Sequence, residues 1–178
     1  MDWTGSTLVT LAAAALVVGA VWYAASRVDR MHRRVENAWG SLQLQLTRRA
    51  SVALDLAHED LWDPVASMVV AEAARGALEA PPWGAEHSEL SAVLRAAAGD
   101  RAQVEADFGR PDREPLLREL SAAWYRAILA RRFLNEAVSM TARLRSRRLV
   151  RWLHLAGRTP MPQSCDIDDA PPDGLISQ

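Results

Sequence analysis

The chain has 178 residues, room for one ordinary domain, and a formal net charge of −1, which argues against a nucleic-acid-binding domain. All 21 basic residues are Arg, and Ala, Leu, Arg and Glu dominate while Tyr and Phe number two each, so material for a sheet is scarce. The single Cys165 excludes an intrachain disulfide and fits a reducing compartment.

The first element is apolar. Leu8 to Ala25 runs eighteen residues without a charge. As a helix it covers roughly 27 Å, and its flanks extend it to the thickness of a bilayer core. We read a transmembrane helix over about 7–26 inside an anchor of residues 1–26. Trp3 stands at one end and Trp22 and Tyr23 at the other, where amphipathic rings settle at headgroup level. A cleaved signal peptide wants a basic start, whereas this chain opens Met1-Asp2 and has no Arg before Arg27. Arg27, Arg30, Arg33 and Arg34 follow the span directly, so positive-inside bias puts the N-terminus outside and the rest in the cytoplasm, single-pass in the cell membrane. Near an anionic surface each of these Arg contributes about 1 kcal/mol.

Beyond the span, no Pro occurs before Pro64, and apolar residues recur at Val28, Met31, Val35, Trp39, Leu42, Leu46, Ala50, Ala53 and Ala57. Steps of three and four keep that stripe on one side of a helix, so the membrane helix is expected to run on to about His58. Asp63-Pro64 reads either as an N-cap with Pro at the first helical position or as a kink; the pattern leaves open whether the chain reverses there. Helical pattern resumes over Val65–Ala80 and stops at Pro81-Pro82-Trp83-Gly84. Ser88 is expected to open another helix, broken near Gly99-Asp100 and ending near Phe108. After a loop from Gly109 to Pro115 a last long helix starts near Glu114, with the stripe Leu117, Leu120, Trp124, Ala127, Leu134, Val138 and Ala142. Arg131 falls inside that stripe, so either a carboxylate or carbonyl partner or partial exposure is expected there. The helix is expected to reach Ala156, with Gly157 as its stop. The tail, residues 159–178, is rich in Pro and Asp and reads as disordered.

Two segments resemble a known family. Arg34-Val-Glu-Asn-Ala-Trp-Gly-Ser-Leu-Gln-Leu-Gln-Leu-Thr-Arg-Arg49, directly after an N-terminal span, is similar to the core signature of the LemA family, and Arg131-Arg-Phe-Leu-Asn-Glu-Ala-Val138 followed by Arg143-Leu-Arg145 is a second match in family order. Together with the anchor the resemblance reaches about Arg158. It implies long antiparallel helices behind one membrane anchor, and it implies no reaction. The expected fold is therefore all-α: an N-terminal transmembrane helix continuing into an elongated antiparallel bundle of three to four helices, residues 27–158.

Candidate sites are few. His58-Glu59 imitates a zinc-protease motif, but position 62 is Trp, so the second ligand is missing. The four His, at 32, 58, 87 and 154, make no ligand spacing. Cys165 beside Asp166, Asp168 and Asp169 resembles a metal clip, against which stands the commoner acidic tail. No catalytic, cofactor-binding or metal site is expected, and no enzymatic activity. Asn37 and Asn135, the only Asn residues, both fall in the LemA-like segments. They are candidates, with Trp39, for fixing helix register or meeting a partner, or else they are simply solvated. Arg143, Arg147 and Arg151 repeat every four residues on a side away from the stripe and suit an acidic partner, an anionic membrane or plain solvent. The expected function is a membrane-tethered interaction or scaffold protein binding the bilayer and another protein or itself, with no nucleic acid. The alternative is an anionic-lipid module using the Arg clusters at 27–34 and 143–151.

Overall fold

The computed structural model describes residues 3–59, 61–146 and 160–176, and among these it contains five helices and no strand. The helices are α1 (Trp3–His58), α2 (Pro64–Glu79), α3 (Glu86–Ala98), α4 (Arg101–Phe108) and α5 (Glu114–Arg145). Pro64 starts a new helix behind the Asp63 cap, the first of the two readings above, and Gly99 separates α3 from α4. The chain forms two compact units, Met1–Glu36 with Glu136–Gln163, and Asn37–Asn135 with Ser164–Gln178; α1 and α5 supply residues to both.

In the first unit, the stretch of α1 from Leu8 to Val18 exposes all its large apolar side chains, and the described chain has one helix long and apolar enough to cross a membrane. Just beyond that stretch Val28 is buried against Leu144 of α5, with Met31 packed on the pair. Arg145 Nη1 lies 3.4 Å from His32 Nε2 and donates to the Pro160 carbonyl at 2.8 Å. The last described turn of α5 therefore sits beside the first turns after the apolar segment. Residues 147–159, which include Arg147, Arg151 and the expected helix end at Ala156, lie outside the described residues.

In the second unit, Leu42, Leu46, Ala50, Ala53 and Ala57 are all buried, as the stripe demands. The end of α1 leads through residues 59–63 to α2, where Asp63 caps the helix by accepting from the Val65 and Ala66 amides at 3.0 and 3.2 Å, with Pro64 in the first turn. The chain reverses here: Trp83, just past α2, meets Trp39 edge-on, ring centroids 5.7 Å apart. Small residues on α2 (Ala71, Ala74, Ala77) let it approach closely, and they join Leu56, Leu90, Leu94, Val104, Leu120 and Trp124 in one core. Helix α3 starts at Glu86, two residues before the expected Ser88. Ser88 spends its hydroxyl elsewhere, and Ala85 opens the helix without a side-chain cap.

The tail corrects the expectation of disorder. Cys165, Ile167, Pro172 and Leu175 are buried, and Leu175 joins the core. The composition is acidic, but buried apolar residues at 165 and 167 alternate with Asp in the period of an extended chain lying on a surface. A turn at its end needs Gly174, whose φ is 86°, and places Leu175 N–H on the Pro172 carbonyl at 3.1 Å.

Two glycines on this unit should respond in opposite directions. Gly99 has φ 74° and ψ −149°, a region essentially confined to glycine. Gly99→Ala is expected to lower stability by about 1–3 kcal/mol. Gly40 is exposed in mid-helix, with open space where a Cβ would go. Gly40→Ala should raise stability by about 0.5–1 kcal/mol. Denaturant or thermal melts of the detergent-solubilised chain check both; equal shifts for the two would contradict the assignment of the α3–α4 break.

Candidate functional site

The most unusual chemistry lies inside the second unit, at the guanidinium of Arg49. It sits three residues after Leu46 and four before Ala53, so α1 carries it inward, and it has no exposed surface. Nη1 donates to Ser91 Oγ at 3.0 Å and Nη2 to the His87 carbonyl at 2.8 Å. The Arg49 guanidinium carbon stands 4.9 Å from the centroid of the Trp124 ring. Nε is buried with no acceptor, and no carboxylate pairs with this cation among the described residues. Burial is the main influence on it and pushes its pKa down to about 10, against the raising effect of Asp169 and Asp168 through space. It stays charged at neutral pH, at a desolvation cost that carbonyl, hydroxyl and aromatic ring offset only in part.

His87 stands over the same place. Its Nε2 lies 3.1 Å from the Pro81 carbonyl, which assigns the ring proton to Nε2 and leaves the buried Nδ1 without a partner. Burial and then the Arg49 charge hold this histidine below its ordinary value, so it is neutral. Ser91 relays the arrangement by donating to the His87 carbonyl at 2.9 Å.

The tail closes the site from the other side. Trp124 Nε1 donates to the Asp169 carbonyl at 2.8 Å, and the Asp169 carboxylate takes Arg131 in a two-point contact of 2.6 and 2.9 Å. Arg131, inside the α5 stripe, thus has a carboxylate partner and is also partly exposed. Asn135 clamps one residue's backbone: its Nδ2 donates to the Cys165 carbonyl at 3.0 Å and its Oδ1 accepts from the Cys165 amide at 2.9 Å. The Cys165 thiol donates to the Pro82 carbonyl at 3.3 Å, and burial raises its pKa, keeping it protonated. Arg95 holds Asp168 at 2.5 Å and the Ala170 carbonyl at 2.7 Å, while the Asp168 amide donates to Ser88 Oγ at 3.0 Å.

Of the residues singled out by sequence, Asn135 and Arg131 come together here. Trp39 is half-buried against Trp83, whereas Asn37 is exposed. Arg143 is exposed and donates to Ser139 Oγ one turn back at 3.2 Å. Arg27, Arg30, Arg33, Arg34, Trp22 and Tyr23 are exposed on α1; Trp3 belongs to the same helix. Cys165 and its Asp neighbours form no metal-holding cluster among the described residues. Arg49 escapes a reading by stripe alone because Leu46 and Ala50 already account for the periodicity. Its place three residues after Leu46 and four before Ala53 is the signal that could have found it.

Comparison with protein-family models, curated proteins and solved structures finds no match to this chain.

The neutral His87 gives stability a sign with pH. Its folded pKa lies below the ordinary 6.5, so the unfolded chain takes up a proton first as pH falls, and stability drops from about 6.5 downward. His87→Gln keeps the size and removes the titration. Melting temperatures between pH 7.5 and 5.0 should therefore fall more for the natural chain than for the variant; parallel curves would remove His87 from the account.

Proposed function

We propose that this chain is a LemA-like, membrane-anchored helical interaction protein. Residues 7–26 hold it in the bilayer, its N-terminus lies outside, and its helical body works in the cytoplasm. The observation that carries this reading is the exposure of every large apolar side chain from Leu8 to Val18, which water would penalise and a bilayer would cover. An exposed apolar patch on α2 supports the docking part: Val65, Met68 and Val69 are 71, 74 and 50% exposed, beside an open cleft of about 580 Å³ that also takes in Ala57 and Val93. The LemA-like reading draws support from a convergence. Arg49 ends the first family-like segment and Arg131 belongs to the second, and Trp124 links them: its ring lies against Arg49 and its indole N–H donates to Asp169, whose carboxylate holds Arg131.

A second reading, an anionic-lipid module, is favoured by the packing of Leu144 on Val28 and of Arg145 beside His32. That arrangement brings the end of α5 to the turns that carry Arg27–Arg34, where a headgroup surface would lie.

Fractionation and labelling test the first reading. The chain is expected in a carbonate-resistant membrane pellet, and Leu16→Arg, with its cost of about 2.5–3.5 kcal/mol at the bilayer centre, should weaken that retention. Cys165 is buried and makes a poor topology reporter, so the reporter is Ser41→Cys, at an exposed position, in a Cys165→Ser background. A membrane-impermeant maleimide should reach it only after the cells are broken. Labelling in intact cells would reverse the orientation, and carbonate extraction of the natural chain would remove the anchor.

A further inference from the structure

We draw no further inference here: the strongest candidate, the exposed apolar patch of Val65, Met68 and Val69 on α2 with the open cleft beside it, carries none because nothing in the structure shows what covers it.

Discussion

A guanidinium buried without a carboxylate sets the terms for the second unit. Arg49 must find carbonyl and hydroxyl oxygens, and the first turns of α3 supply them through His87 and Ser91. It must also find polarisable area, which Trp124 of α5 supplies. Trp124 then has an indole N–H to satisfy, and the acceptor is the Asp169 carbonyl of the tail, whose carboxylate in turn takes Arg131. Each buried polar group thus hands its unsatisfied partner to the next, from α1 through α5 to the C-terminal segment. Such a chain specifies register: slide α1 by one residue and the cation loses its oxygens, its ring and its place together.

The same network accounts for the order of a tail that composition alone would leave unfolded. An acidic, Pro-rich segment lacks the apolar area to pack by itself. Here two features replace that area. Buried residues at 165, 167 and 175 give it a sided surface, and Arg95, Arg131 and Asn135 give it fixed points along its length. The Asp residues that read as solvent-loving are ordered because cations wait for them on α3 and α5.

Local signals made much of the helical framework legible. The absence of Pro before Pro64 and the unbroken stripe to Ala57 carried α1 to His58, and Asp63-Pro64, Gly99-Asp100 and Glu114 marked the starts or breaks of later helices because capping and glycine geometry are local. What stayed hidden depends on distance in the chain. The reversal after α1 is fixed by packing such as Trp83 on Trp39, and the Asn135 clamp joins residues thirty apart. Arg131 drew notice by interrupting a stripe, whereas Arg49 sat beside residues that already filled theirs. Its partners, a main-chain carbonyl, a hydroxyl and a ring, leave no compensating charge in the sequence to look for.

The C-terminal segment is ordered by this network through its backbone as well as its carboxylates. Hydrogen exchange of the Cys165 and Asp168 amides measures it directly, because these donate to Asn135 Oδ1 and Ser88 Oγ. The account predicts both to exchange at least about a hundredfold more slowly than an unstructured peptide of the same sequence. Exchange at the unstructured rate, with the helices still protected, would contradict it.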